Sequence, residues 1–374
     1  MIISPDIEKL LSVLTLYRRD LHRIAELSEK EFKTQKYICG VLDGLKIKHK
    51  SYDTGVVCDI SGNNHKRLIA LRADMDALGI KEEGGAAYKS ETEGVMHACG
   101  HDGHMAMLLA AAGYFKKNKP DYDLRLIFQP AEEGAGGAAK LIEAGALKGV
   151  DEIYALHLKP SLPIGQIAVS AGTIMAGVAE FDIDFKGAAA HCAEKEKGAD
   201  AVMAGALFIT GAAELMKPYQ HNNLFHIGAV KGGSVRNAVA DSMKLMCTLR
   251  FFDPVAREEI MQKLSGLLCD IRKKTGADSH ITVTALYPPL KNGRDAVDYV
   301  KRCVPDTLDA APEYTAEDFS EYLLQVKGCF AWLGTCDGGE VKKLHSGDFD
   351  FDERALLYGM QYYKQILINQ EKQM

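Results

Sequence analysis

The sequence predicts an α/β protein whose larger, helix-flanked sheet is interrupted by a smaller α+β domain. In the first half of the 374-residue chain, short apolar runs of strand length alternate with segments of helix length, which is typical of a mixed, mostly parallel sheet sandwiched by helices. Beyond residue 176 the order becomes strand, helix, strand, strand, helix, strand, the split βαβ (ferredoxin-like) pattern. Helix–strand alternation resumes after residue 287. We therefore expect one domain from 1–175 and 288–374, with 176–287 inserted as a second.

The individual elements follow from hydrophobic periodicity. In the first half, the helix candidates are 6–25, 29–45, 101–117 and 137–147, and the strand candidates are 67–71, 124–128 and 153–158. In the inserted region, the strand candidates are 180–185, 224–230, 243–252 and 281–286, and the helix candidates are 198–216 and 254–274. A last helix is expected from 353 to about 370.

Composition excludes several functional classes. Apolar residues make up 47% and charged residues 26% of the chain, the balance of a globular protein. The net charge is −6 and the basic residues are scattered, which argues against nucleic-acid binding. No signal peptide is expected at the N-terminus, and no window reaches the ~20 apolar residues of a membrane helix. Nine cysteines are spread singly, so we expect free thiols and the cytoplasm.

The densest group of chemically active side chains lies at 96–104, Met-His-Ala-Cys-Gly-His-Asp-Gly-His. Glycines at 100 and 103 permit a tight turn that brings Cys99 and His101 to one point. A thiolate and an imidazole suit zinc, nickel, cobalt or manganese-type divalent ions. The alternative is a helix-capping turn with incidental histidines.

Glu132 and Glu133 follow a predicted buried strand, at the end that faces the ligand crevice of an open α/β sheet. Neighbouring side chains on an extended segment diverge, so one carboxylate can bind metal while the other acts as a base. A glutamate beside two cations keeps its charge and can accept a proton from water. Taken alone, a Glu-Glu pair is more often a surface feature.

Four further residues gain significance only from the two groups above. His157 lies in an apolar run and His345 in a loop before the last helix, and each alone is more often an ordinary core or loop histidine. Asp74 and Asp76 end a predicted strand with period-2 spacing, which places both on one face. We expect them to orient a metal-binding histidine, and the alternative is a strand-terminating turn.

Together these segments resemble a known family, the metal-dependent amidohydrolases that include hippurate hydrolase, the auxin-conjugate hydrolases and N-acetyldiaminopimelate deacetylase. The similarity runs nearly end to end, and the last of these is the most similar in length and in the pattern that follows Gln129. The segments that carry it are 18–22 with 26–27, 71–78, 94–104, 128–134, 155–157, 316–320 and 345 with 349–353.

The resemblance implies a catalytic domain with two divalent ions and an inserted lid that often forms a homodimer interface. It implies that Cys99 bridges the ions, that His101 and His157 bind one of them, and that Glu133 and His345 bind the other. Glu132 matches the general base. In the lid, the resemblance makes His191 a donor to the oxyanion, and Asn237 and Arg250 residues that hold the substrate carboxylate.

The implied reaction is hydrolysis of the amide of an N-acyl amino acid, above all an N-acetyl one, with N-acetyldiaminopimelate a candidate substrate. Departures from the family's usual pattern at 79, 188–195, 237–241 and 346–347 lie near the predicted lid or pocket and affect no predicted ligand. Two alternatives remain at this point. One is a dipeptidase of the same architecture, and the other is a non-catalytic protein that binds amino-acid derivatives.

Overall fold

The computed structural model describes residues 1–134, 136–339 and 341–369. The chain divides into two compact units, each built from segments distant in sequence: unit 1 comprises Met1–Ile174, Lys291–Ala311 and the chain from Asp318 onward, and unit 2 comprises Met175–Leu290 and Pro312–Glu317. The predicted α/β class with a mixed sheet is confirmed. The lid role predicted for 176–287 stays a prediction.

Unit 1 contains a seven-stranded mixed sheet. Its strands are β1 (His49–Tyr52), β2 (Gly55–Ile60), β3 (Leu68–Asp74), β4 (Asp123–Gln129), β5 (Glu152–Pro163), β6 (Ile167–Ala168) and β13 (Lys327–Cys336). Their order is β1-β2-β4-β3-β5-β13-β6. The central strands β4, β3, β5 and β13 run parallel, and the flanking pairs are antiparallel. Two further strands, β7 (Gly172–Met175) and β12 (Leu290–Asn292), form a two-stranded sheet.

The helices of unit 1 cover this sheet, and one of them is almost wholly buried. They are α1 (Pro5–Glu8), α2 (Leu11–Arg23), α3 (Phe32–Gly44), α4 (His101–Lys117), α5 (Gly137–Glu143), α8 (Arg294–Cys303), α9 (Phe319–Gln325) and α10 (Ala355–Asn369). Helix α4 buries nearly every residue, from its histidines to its Ala, Leu and Met side chains. A helix that is apolar all round belongs in a core, so α4 gives the site a rigid base.

Two helix predictions were wrong in detail. The segment 6–25 forms α1 and α2 rather than one helix, because the amide of Leu10 bonds to the carbonyl of Ile7 and closes the first helix early. The segment 137–147 ends at Glu143, since Gly145 adopts a φ of 93° and terminates the helix. The hairpin of β1 and β2 was not predicted.

Unit 2 has the predicted β-α-β-β-α-β order. Its elements are β8 (Gly177–Lys186), α6 (Ala201–Met216), β9 (Asn223–Gly232), β10 (Ser242–Phe251), α7 (Pro254–Thr275) and β11 (Asp278–Tyr287). The four strands form an antiparallel sheet in the order β11-β8-β10-β9. Alternate residues of β8 and β10 are buried in one core with apolar residues of α6 and α7, so the strand periodicity read from sequence has a packing origin.

Across the described residues, none of the helices combines the length and the apolar character that crossing a membrane requires.

Candidate metal centre and active site

The predicted site residues of unit 1 gather where parallel strands end. Asp74, the last residue of β3, pairs in register with Gln129, the last residue of β4. Strand β5 pairs with β3 on its other side and carries His157. The carboxyl ends of parallel strands form one edge of a sheet, and that edge is where open α/β sheets bind ligands.

A glycine turn brings Cys99 and His101 to this edge. Gly100, just before α4, has a φ of 88°, a conformation that favours glycine, and an added Cβ would lie 2.9 Å from Cδ1 of Leu158. The Sγ atom of Cys99 lies 3.4 Å from Nε2 of His157. The ring centroids of His101 and His157 are 5.9 Å apart. The thiol and both imidazoles therefore meet at one point.

Hydrogen bonds fix which nitrogen each imidazole turns toward that point. His157 Nδ1 lies 2.8 Å from the carbonyl oxygen of Leu158, and His101 Nδ1 lies 2.9 Å from that of Asp76. A carbonyl only accepts, so both Nδ1 atoms donate, and in the neutral imidazoles it is Nε2 that carries the lone pair. The Nε2 atom of His101 is buried and has no hydrogen-bond partner in the described part of the chain. A metal ion would satisfy this atom.

The electrostatics of the pocket also favour a cation. Burial lowers the pKa of His101, but the negative charges of Asp74, Asp76 and Glu133 raise it to about 10. Burial and the nearby charges of Glu133 and Glu132 raise the pKa of the Cys99 thiol well above its ordinary value. Negative charge in a buried pocket contributes to both shifts, and divalent cations would neutralise it and favour the thiolate.

Glu133 and His345 complete the predicted ligand set. The Nε2 atom of His345 lies 3.1 Å from Oε1 of Glu133, and that oxygen lies 4.0 Å from Nε2 of His101. The amide of His345 donates to the carbonyl of Ala98 at 2.8 Å, which ties this loop to the turn that carries Cys99. Potential ligand atoms of Cys99, Glu133 and His345 all lie within 4.8 Å of one another.

Glu132 lies beside the group of Cys99, Glu133 and His345 but is not part of it. A carboxylate oxygen of Glu132 lies within 4.8 Å of potential ligand atoms of both His101 and Glu133. Both adjacent glutamates therefore lie close to His101, as expected if one of them binds metal and the other is the general base. Their roles as base and ligand stay predictions.

Asp74 at the end of β3 and Asp76 two residues beyond it have different hydrogen-bond partners. Asp76 contacts a predicted ligand, since its carbonyl accepts from His101 Nδ1 and its carboxylate oxygen Oδ1 lies 3.4 Å from the same atom. Asp74 instead accepts from Nδ1 of His104 at 2.6 Å and from Arg72 at 2.7 Å. The structure thus brings Asp76 directly to a predicted ligand, and it connects Asp74 mainly to His104.

His104 belongs to the histidine-rich segment but had no predicted role. His104 lies three residues after His101 on α4, so both side chains share a helix face. Its Nε2 accepts from the amide of Leu158 at 3.0 Å, and its Nδ1 therefore donates to Asp74. Both ring nitrogens are engaged, which leaves His104 no lone pair for a metal. Its spacing from His101 was the signal available in the sequence.

A second buried network holds the start of α4 and also had no predicted role. The Oδ2 atom of Asp102 accepts from Nε of Arg18 at 3.1 Å and lies 2.8 Å from Nδ1 of His22. Burial opposes the charge on Asp102, but Arg18 and His22 hold the pKa of its carboxyl far below the usual range. Asp102 thus anchors to α2 the turn that carries two predicted ligands.

In unit 2, the predicted residues His191 and Asn237 lie on adjoining segments. His191 forms a bridge with Ala238, and the amide of Cys192 donates to the carbonyl of Asn237 at 3.1 Å. The Nδ1 atom of His191 accepts from the amide of Ala193 at 3.2 Å, which leaves the proton on Nε2. Both side chains are exposed.

Arg250 does not join them within unit 2. It lies near the end of β10, eight residues beyond Ser242, and strand geometry makes that about 26 Å. The segment that carries His191 is tied to the start of β10, where the amide of Gly187 donates to the carbonyl of Asp241. Arg250 itself lies 3.8 Å from Glu180, and burial lowers its pKa. Within unit 2, Arg250 and the segment that carries His191 therefore lie toward opposite ends of β10.

Comparisons with known proteins agree with this description. Residues 70–369 match the family described as "Peptidase family M20/M25/M40". The chain is 36% identical over 355 residues to N-acetyl-L-cysteine deacetylase of Bacillus subtilis, covering 91% of this chain and 84% of that protein. It is 32% identical over 363 residues to N-acetyldiaminopimelate deacetylase of the same organism, covering 94% and 95%. A solved Bacillus subtilis structure, described as a dinuclear metal binding peptidase from the M20 family, matches with a TM-score of 0.84 and 32% identity over 98% of this chain and 100% of that one.

Proposed function

The chain belongs to peptidase family M20/M25/M40, and we propose that it is a metal-dependent amidohydrolase that removes the acyl group, above all acetyl, from N-acyl amino acids. The relatives with deacetylase names support the reaction and the substrate class. The observation that carries the proposal is the convergence of predicted metal-binding side chains from separate segments around Nε2 of His101, which is buried and has no hydrogen-bond partner among the described residues.

The donor set fits divalent ions of the zinc, manganese, nickel or cobalt type. We assign Cys99, His101, Glu133, His157 and His345 as the residues that would hold two such ions. One thiolate, three imidazoles and a carboxylate form a ligand set of borderline softness. When bound, the ions would polarise the scissile carbonyl and the attacking water.

Glu132 supplies the proton transfer in this proposal. Its carboxylate takes a proton from the attacking water as the new carbon–oxygen bond forms. It then gives that proton to the leaving nitrogen as the carbon–nitrogen bond breaks, which yields a carboxylate and a free amino acid. General base and acid catalysis of this kind contributes about 10²–10⁴-fold. Asp76 keeps His101 in the required tautomer and orientation.

Unit 2 would supply substrate contacts, and we propose that it acts as a lid and as a homodimer surface. His191 Nε2 can donate to the developing oxyanion, and Asn237 and Arg250 can hold the α-carboxylate of the substrate. The separation of His191 from Arg250 along unit 2 supports a dimer, because a second copy could bring its His191 to a substrate that Arg250 of the first copy holds. The nine free thiols support a reducing compartment, and we propose the cytoplasm.

A substrate panel tests the proposed reaction. The protein is freed of metal with a chelator, reloaded separately with Zn²⁺, Mn²⁺, Co²⁺ or Ni²⁺, and assayed with N-acetylcysteine, N-acetyldiaminopimelate, N-benzoylglycine and unblocked dipeptides. We expect release of acetate from the acetyl amino acids and none from the metal-free protein. If only the dipeptides are cleaved, the result would instead favour the alternative hypothesis of a dipeptidase. Absence of hydrolysis under every metal would overturn the proposal.

Glu132→Gln tests the base. We expect turnover to fall at least ~10²-fold while the bound metal is retained, because the amide keeps the shape of the side chain but accepts no proton. Glu143→Gln, an exposed change on α5, is the control and should leave turnover unaltered. Turnover by Glu132→Gln that equals the control would refute the assignment.

A further inference from the structure

The turn that precedes Glu132 is held in an unfavourable backbone conformation. Ala131 is buried and has a φ of 56°, a region that residues with a Cβ rarely adopt. Its carbonyl accepts from the amide of Gly137 at 3.1 Å. A Cβ at Gly137 would lie 1.8 Å from the carbonyl oxygen of Pro130, so the chain passes too close here for any other residue. Something must hold the turn in this shape, since Ala131 on its own favours another.

Two buried carboxylates bind three consecutive amides of this turn. The amide of Ala131 donates to Oε1 of Glu31 at 2.9 Å. The amides of Glu132 and Glu133 donate to Oδ1 and Oδ2 of Asp76 at 3.1 and 3.0 Å. Asp76 also contacts the predicted ligand His101, whereas Glu31 belongs to a segment 100 residues earlier in the chain.

Glu31 is itself held in place from several directions. Its Oε2 accepts from the hydroxyl of Thr54 at 2.6 Å, and its Oε1 also accepts from the amide of Glu29 at 3.0 Å. The side chain is fully buried. Glu31 forms no ion pair with a Lys, Arg or His of the described residues. A buried carboxylate without a counter-ion is costly, which argues for a role other than stability.

We propose that Glu31 is a positioning residue for Glu132. By accepting a hydrogen bond from the amide of Ala131, Glu31 holds Ala131 in the left-handed conformation, and this conformation aims the Glu132 carboxylate into the site. The proposal rests on the proposed function, since it takes Glu132 as the base. Within the described residues no hydrogen bond joins Glu31 to a predicted ligand, and its link to the site is the amide of Ala131. It acts through the backbone alone.

The first test is the kcat of two variants, measured with saturating Zn²⁺ on the acetyl amino acid that the wild-type protein hydrolyses. Glu31→Ala removes the acceptor, and kcat should fall about 10²-fold, the typical cost of a misplacement near 1 Å. KM should change less, because no substrate contact is lost. Glu31→Gln keeps an acceptor at Oε1 and should retain kcat within about threefold. Zinc content is measured in every variant, and we expect it to be unchanged.

The second test separates positioning from stability. Glycine adopts positive φ without steric cost, so adding Ala131→Gly to Glu31→Ala should restore kcat by about tenfold. Lys46 provides the matched control, since it is exposed, remote in sequence and also has a φ of 56°. Adding Lys46→Gly to Glu31→Ala should raise thermal stability by a similar amount and leave kcat low.

Several results would overturn the proposal. They are a kcat of Glu31→Ala within threefold of wild type, a loss of zinc that accounts for the lost activity, and equal restoration of kcat by Ala131→Gly and Lys46→Gly. Failure of the proposed function would look different, because the wild-type protein would then hydrolyse no acyl amino acid.

Discussion

At the scale of single residues, His104 and His101 differ in what their nitrogens bind. Because His104 pairs with Asp74 and with the amide of Leu158, His104→Phe would keep an aromatic ring but remove the hydrogen bonds of the buried Oδ1 atom of Asp74 and of a buried amide. We expect a loss of about 3 kcal/mol in the free energy of unfolding, measured with urea in the presence of a chelator. His65→Phe, which breaks only an exposed ion pair with Asp123, should change it by about 0.5 kcal/mol or less. Equal effects of the two changes would contradict this assignment of partners.

Glu31 gives a prediction about pH. Burial raises the pKa of Glu31 above its ordinary value of 4.5, and the hydrogen bond from Thr54 opposes the shift only in part. Because the folded pKa is the higher one, folding favours the protonated carboxyl. Its contribution to stability is complete below the unfolded pKa and is lost as pH rises through the folded one. Glu31→Gln should therefore gain in free energy of unfolding relative to wild type as pH rises from the ordinary value of 4.5 through the raised pKa of the folded protein. If urea titrations show that the difference in free energy of unfolding between Glu31→Gln and wild type stays constant over this range, the prediction is wrong.

At the scale of elements, the start of α4 depends on the conformation of one glycine. Gly100→Ala would strain a φ of 88° and press a Cβ against Leu158, so we expect a loss of about 2 kcal/mol in the free energy of unfolding and weaker Zn²⁺ binding. Gly113→Ala is the matched control in the same helix, where the nearest atom to the new Cβ is 3.6 Å away. That change should stabilise the helix by about 0.5–1 kcal/mol and leave Zn²⁺ affinity unaltered. Calorimetry would measure the free energy of unfolding and the Zn²⁺ affinity of both variants. Similar values for the two variants would exclude a special role for Gly100.

The elements also separate what the sequence can predict from what it cannot. Helix α4 has the predicted bounds 101–117, because its start and its apolar length are both local properties of the chain. The contact of Glu31 with Ala131 leaves no periodic or spacing signal, since it joins a loop to a turn 100 residues later. The hydrogen-bond partners of Asp74 also could not be predicted from the sequence. Period-2 spacing placed Asp74 and Asp76 on one face, but packing of α4 decided that Asp74 binds His104 while Asp76 binds His101.

At the scale of the whole molecule, the predicted metal ligands all belong to unit 1, whereas unit 2 has its own core of strands and two helices. Metal binding should therefore stabilise the two units unequally. With free Zn²⁺ at about 100 times its Kd, linkage adds about 2.7 kcal/mol to the unfolding of the unit that binds it. We expect a chelator to lower the thermal transition of unit 1 and to leave a transition of unit 2 in place. Hydrogen exchange would assign each transition, through protection of α4 in one and of α7 in the other. Equal loss of protection in α4 and α7 on chelation would mean that the units unfold together, and a thermal transition that ignores Zn²⁺ would contradict the ligand assignment itself.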